Sequence, residues 1–222
     1  MGIQSDGMFG GFYGKTGPLI GRRVKGKSLV TALHHPSTKA STESQLVQQD
    51  KFTMLTQFLL KIKYLVAIGF RAPLSRGSAL NRAYKFNYPH AFIEQVALPG
   101  EEVVDLNYPL LVYSRGHVST PNCPSVAVSD GALPTARLVR FSWLPDAQSL
   151  YNRSTDKATF VVYNATTQRV TYEVDAAVRA ALEYTLPLSG IFAGNLLYCY
   201  MSFVNVTAKL SGDSVCVGLV YG

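Results

Sequence analysis

With 222 residues, 47% of them hydrophobic and only 16% charged, the chain is long enough to bury a core and too apolar to be disordered throughout. Its formal charge of +7 is unevenly spread: residues 1–100 carry 13 Lys/Arg against 4 Asp/Glu, and residues 101–222 carry 8 against 10. A basic first half suits a polyanion or an acidic neighbouring subunit equally, and three cysteines (Cys123, Cys199, Cys216), few and odd in number, imply no disulfide framework.

The chain opens with "GGFYGKTGPLIGRRVKGKSLV", Gly10 to Val30. A phosphate-binding loop with Gly-Lys-Thr at 14–16 would need a glycine at position 9, where Phe9 stands, and a following helix that Pro18, Gly21 and Gly26 forbid. Glycine alternating with apolar and basic residues instead predicts a β-arm or hairpin, which is marginal in water without something to lie against. Phe12, Tyr13, Leu19, Val24 and Leu29 are the candidate assembly contacts of this arm. Lys15, Arg22, Arg23, Lys25 and Lys27, with Phe12 and Tyr13 for stacking, are its candidate polyanion contacts.

Thr42 with Gln45 three residues on forms a capping-box pattern. Leu46, Phe52, Leu55, Leu59, Ile62 and Val66 then recur at helical spacing up to a stop at Gly69, which predicts one long amphipathic helix. A second helical stretch, residues 75–95, is expected to divide near Pro89. The apolar segment "MLTQFLLKIKYLVAIGF" is broken by Gln57, Lys61 and Lys63, so no membrane span is expected.

From about residue 100 seven β-rich runs follow: "VVDLNYPLLVYSRG", "ARLVRFSWLP", "KATFVVYN", "RVTYEVD", "ALEYTLPL", "LLYCYMSFVN" and "SVCVGLVYG". Seven short strands in about 120 residues read as an antiparallel β-sandwich, with Trp143, Phe160, Val162 and Tyr200 as core candidates. The fold class is therefore α+β, mainly β: a Gly-rich basic arm over 1–40, a helical segment over 41–98 and a sandwich over 99–222.

Chemistry-bearing motifs are sparse. His34 and His35 are adjacent, hence on opposite faces of a strand, and His90 and His117 stand apart with no ligand spacing around them. Ser114 and His117 are close in sequence, with Asp130 or Asp156 as conceivable orienters, but no nucleophile elbow surrounds them. Cys199 and Cys216 lie in apolar strand runs that suit inert core positions. No catalytic residue, metal, cofactor or small-molecule substrate is expected. No secretory signal is visible, which places the chain in the cytoplasm and makes the sequons at Asn152, Asn164 and Asn205 chance matches; export without a cleaved signal, or a place in a virion, stays open.

The opening arm, "TESQLVQQDKFTMLTQFLLKIKYLVAIGF", "YSRG", "VRFSWLPD", "STDKATFVVYN" and "LPLSGIFAGNLLYCYMSFVN" together resemble a family of Bacteroidetes proteins of about this length, carried under a domain-of-unknown-function label. The resemblance spans nearly the whole chain and implies bacterial origin, with no catalytic residues to carry over. Members usually have an aromatic residue where Arg23 precedes "VKG", so this sequence departs there. The C-terminal half also resembles a fibronectin type III or immunoglobulin-like module, a likeness of fold alone. The expectation is a non-enzymatic assembly protein that self-associates or docks in a larger complex through its arm and helix. A nucleic-acid-binding accessory protein of phage or mobile-element origin is the alternative, and peptide or carbohydrate binding through tyrosines such as Tyr151 and Tyr163 ranks third.

Overall fold

A computed structural model of the chain describes residues 3–4, 10–24, 26–34, 40–71, 77–98, 101–130, 137–207 and 210–222, with the backbone alone for 4, 94–98, 101–103 and 130. The chain divides into two compact units, Met1–Glu43 and Ser44–Gly222.

The first unit is one antiparallel sheet in the order β1 (Ile3–Gln4), β2 (Phe12–Thr16), β3 (Leu19–Val24), β4 (Lys27–Ala32). Two-residue turns join β2 to β3 and β3 to β4, because Thr16 pairs with Leu19 and Val24 with Lys27. Gly17 begins the first turn at φ +56° and Gly26 ends the second at φ +80°, backbone angles that oppose L side chains and match the twist of a tight hairpin. Gly21 lies beneath Phe12, where a Cβ would collide with the Phe12 carbonyl and ring.

The second unit is mainly β, as expected, and its layers are three. Helices α1 (Glu43–Lys61), α2 (Lys63–Gly69) and α3 (Ala79–Asn87) are followed by a hairpin, β5 (Phe92–Leu98) with β6 (Glu101–Leu106). Seven strands then build two antiparallel sheets from β7 (Asn122–Asp130), β8 (Arg137–Leu144), β9 (Lys157–Asn164), β10 (Arg169–Val178), β11 (Glu183–Leu188), β12 (Leu196–Val204) and β13 (Val215–Tyr221). The first sheet runs β10-β9-β12-β13 and the second β11-β8-β7.

The four-stranded sheet is the middle layer. On β9, Phe160 and Val162 pack toward the second sheet while Val161 and Tyr163 pack toward the helices, and β12 divides the same way between Leu197, Cys199, Met201 and Phe203 on one face and Tyr200 on the other. Burial on both faces explains why these two strands are almost continuously apolar. The helical segment has no core of its own: Leu55, Phe58, Leu59, Ile62, Leu65 and Val66 share one cluster with Tyr163 and Tyr200.

Several local expectations change. The single helix expected up to Gly69 is two, bent by 84° at Ile62. Its end is tied elsewhere, since the Gly69 carbonyl accepts from Arg115 N–H at 3.1 Å and from Ser211 Oγ at 3.2 Å. Gly69 also lies so close to Ser114 that a Cβ would clash with its Cα. Residues 92–95 form a strand, not a helix; helix ends at His90, one residue beyond Pro89, after the short 3-10 turn Tyr88–His90. Residues 107–116 are a 3-10 turn and loop, and β7 is a strand that the Pro124-containing, weakly apolar run "NCPSVAVSD" conceals. Among the described residues no single helix is long and apolar enough to cross a membrane.

A candidate assembly surface

In the sheet of the first unit Gly21 is the one buried residue among those described. Leu19, Val24, Leu29 and Val30 stay 41–54% exposed, and Phe12 and Tyr13 are half-buried. The outer edge of β4 pairs with no strand among the described residues. An exposed sheet with a free edge is a template for strand addition.

Antiparallel partners point to one face, so the register sorts the basic residues. Lys15 pairs with Ile20, Ile20 with Thr31, Arg22 with Leu29 and Val24 with Lys27, which puts Lys15, Arg22 and Lys27 on one face with Ile20, Val24 and Leu29. Arg23 pairs with Ser28 and faces the other way, where its Nε donates to Gly26 O at 3.3 Å. Leu19 lies on that face with Val30, whose partner is Gly21. Lys25 and His35 lie outside the described residues. Lys15, Arg22 and Lys27 make no ion pair among the described residues, and the 43 residues of this unit contain six Lys/Arg against Asp6 and Glu43.

The opposite charge lies on the hairpin β5–β6. Between Phe92 and Leu106 the sequence holds Glu94, Glu101, Glu102 and Asp105 and no Lys or Arg. These two strands pair only with each other among the described residues.

The sandwich core candidates are all buried. Trp143 stands on β8 with its ring 5.9 Å from Phe160 and 5.8 Å from Phe203, and its indole N–H donates to Arg179 O at 2.8 Å. Phe160 and Val162 belong to this cluster between the sheets. Tyr200 lies on the other face of β12 under the helices, because its position has the opposite parity, and its hydroxyl donates to Tyr108 O at 2.8 Å.

Ser114 and His117 do not meet: the Ser114 hydroxyl is buried and donates to Gly212 O at 2.7 Å, while His117 is exposed against Tyr151. Asp156 pairs with Arg179 at 3.4 Å, both side chains nearly inaccessible. Arg179 also lies 3.8 Å over the Phe203 ring and donates to Ser119 O at 2.7 Å. Burial lowers its pKa, an effect that Asp156 opposes. Burial pushes the Cys199 thiol up to about 12. Sequence reasoning missed Arg179 and Asn87, buried polar residues with partners far along the chain, and offered Asp156 as an orienter for His117 where it is the partner of Arg179.

The fold and surface define a mainly β protein: a seven-strand sandwich covered on one face by helices, preceded by an exposed basic sheet. The chain belongs to a family of unknown function (DUF6266), whose model matches residues 11–218 and so takes in arm, helices and sandwich alike. No curated protein matches it.

Proposed function

We propose that the protein is a non-enzymatic assembly protein whose N-terminal sheet docks on a second copy of the chain. The observation that carries this reading is the exposure of Leu19, Val24, Leu29 and Val30 on a sheet whose only buried described residue is a glycine. Such a sheet gains most of its stabilisation from a neighbour, at about 25 cal/mol for each Å² of apolar surface covered. Charge complementarity supports a second copy as that neighbour: the face with Lys15, Arg22 and Lys27 matches a hairpin with Glu94, Glu101, Glu102 and Asp105. An arm-to-hairpin contact is heterologous, so it closes into a ring or continues as a filament.

We read the sandwich as a fibronectin type III-like module. Two features support this over a constant-type immunoglobulin order: the fourth strand, β10, pairs with the third, β9, and Trp143 stands on the second strand.

Deleting residues 1–33 tests the reading, because the second unit keeps both hydrophobic clusters. Light scattering should show full-length oligomers and truncated monomers that keep the circular dichroism and cooperative unfolding of a folded sandwich; equal association numbers would refute it. The nucleic-acid alternative rests on the Lys15–Arg22–Lys27 face, without an ion pair among the described residues, and requires retention on DNA or RNA that falls steeply with salt.

A further inference from the structure

The second unit carries a cationic cleft that the assembly reading does not use. Arg82, Lys85, Phe86, Pro89 and His90 occupy positions i, i+3, i+4, i+7 and i+8, one continuous face of α3 and the 3-10 turn that extends it. Arg115, from the loop after the Tyr108–Leu110 turn, lies across from them and completes a surface cleft of about 510 Å³.

The geometry is built. Asn87, fully buried, donates to Ala83 O and Val112 O, both at 2.8 Å, and accepts from Val112 N–H at 2.7 Å, locking α3 to the segment that carries Arg115. Arg115 is itself anchored: its N–H donates to Gly69 O at 3.1 Å and its carbonyl accepts from Ser211 Oγ at 2.9 Å. The Arg115 guanidinium sits 4.3 Å over the Phe86 ring, and His90 packs edge-on against the same ring at 5.6 Å. Arg82 is a structural cation, donating to the carbonyls of Phe70 and Gly77.

Among the described residues nothing neutralises the charge of this cleft. Among the described residues Arg115 and Lys85 make no side-chain hydrogen bond and no ion pair, and no carboxylate lines the cleft. Asp213, on the segment packed against Arg115, accepts from Gly116 N–H at 2.8 Å instead. A guanidinium held over an aromatic ring keeps its planar fork of donors free, and the ammonium of Lys85, the residue before Phe86, supplies a second charge. Two free cations, a third fixed in the backbone and an imidazole exceed what one carboxylate neutralises; a phosphate matches them. Phe86 and Pro89 add an apolar wall suited to the organic part of an ester, and the volume is in the range of small-molecule sites.

We propose that this cleft binds a phosphate ester, with Arg115 and Lys85 as the phosphate ligands. The ester comes free, at the size of a mononucleotide, or as one phosphate of a single strand, and the experiment separates the two. Full-length protein is titrated by calorimetry with adenosine 5′-monophosphate and, in parallel, with a single-stranded oligothymidylate. Saturable binding of either probe that falls about tenfold or more in both Lys85→Gln and Arg115→Ala is the expected result. Both side chains are exposed, and matching thermal melts of the variants separate lost binding from lost fold. Comparable affinity for both probes marks a free ester; an advantage for the strand that persists in Lys15→Glu/Arg22→Glu/Lys27→Glu marks a strand held in this cleft. No saturable binding at millimolar concentration, or binding untouched by the two cleft substitutions and abolished by those in the arm, overturns the proposal and leaves the assembly reading unaffected.

Discussion

At the residue scale the buried ion pair of Asp156 and Arg179 sets a strong test. Arg179 is closed in by Phe203, by the Ser119 carbonyl and by Asp156, so removing the carboxylate leaves a desolvated guanidinium without its counter-charge. Asp156→Ala should cost about 3–5 kcal/mol in urea unfolding, since breaking a buried pair from one side strands the other charge. A loss below about 1 kcal/mol would mean that water reaches Arg179. The cysteines give a second test. Only a thiolate is nucleophilic, so a thiol pushed up to about 12 is protonated and closed to reagent at pH 8. Iodoacetamide should label exposed Cys123 in the folded protein, Cys216 more slowly, and Cys199 only after unfolding. Little of this was legible in sequence: Asp156 and Arg179 are 23 positions apart and are ordinary charged residues until the sandwich closes around them.

At the scale of elements the arm and strands were legible and the joints were not. Gly17 and Gly26 punctuate runs of β-formers, so the hairpins follow from local backbone chemistry. The strands β9 and β12 were equally plain, because two buried faces leave a nearly unbroken apolar run. The bend at Ile62 carries no proline or glycine of its own, and helical periodicity continues across it undisturbed, so nothing in the sequence marks it. The face of Arg82, Lys85, Phe86 and His90 did have a sequence signal, helical spacing of cations around an aromatic, which becomes a cleft only once Arg115 arrives from 25 residues beyond His90. Gly69→Ala tests the joint: its new Cβ meets Ser114, and the second unit should lose about 1–3 kcal/mol of stability. Gly21→Ala is the counterpart in the arm. The collision with the Phe12 carbonyl should weaken the β2–β3 pairing, and amide exchange should quicken in the arm while the sandwich stays protected.

At the scale of the whole molecule the tyrosines between sheet and helices govern the alkaline limit. Burial raises the pKa of Tyr108, Tyr113, Tyr163 and Tyr200, and on the other face of the sheet burial, then the hydrogen bond to Glu173 and its charge, hold Tyr184 at about 12. Because the folded pKa lies above the unfolded value near 10, their contribution is fully present below about pH 10 and is lost as pH rises through the folded values. Absorbance at 295 nm should therefore lag behind a free-tyrosine titration and then rise together with unfolding. Ionisation of all 13 tyrosines near pH 10 in a still-folded protein would contradict the packing of this layer.

Assembly is the largest-scale claim, and the sequence carried its two halves in different places: a basic glycine-rich arm, and an acidic stretch that reads as the end of a helix at Glu94 and the start of a β-run at Asp105 until both fold as one hairpin. Light scattering of a charge-swapped pair tests it most directly. Lys15→Glu/Arg22→Glu/Lys27→Glu and Glu94→Lys/Glu101→Lys/Asp105→Lys should each run as 24.2 kDa monomers, and their mixture should recover the larger mass of the unsubstituted chain. A 24.2 kDa monomer for the unsubstituted protein, or variants that associate as it does, would contradict the account.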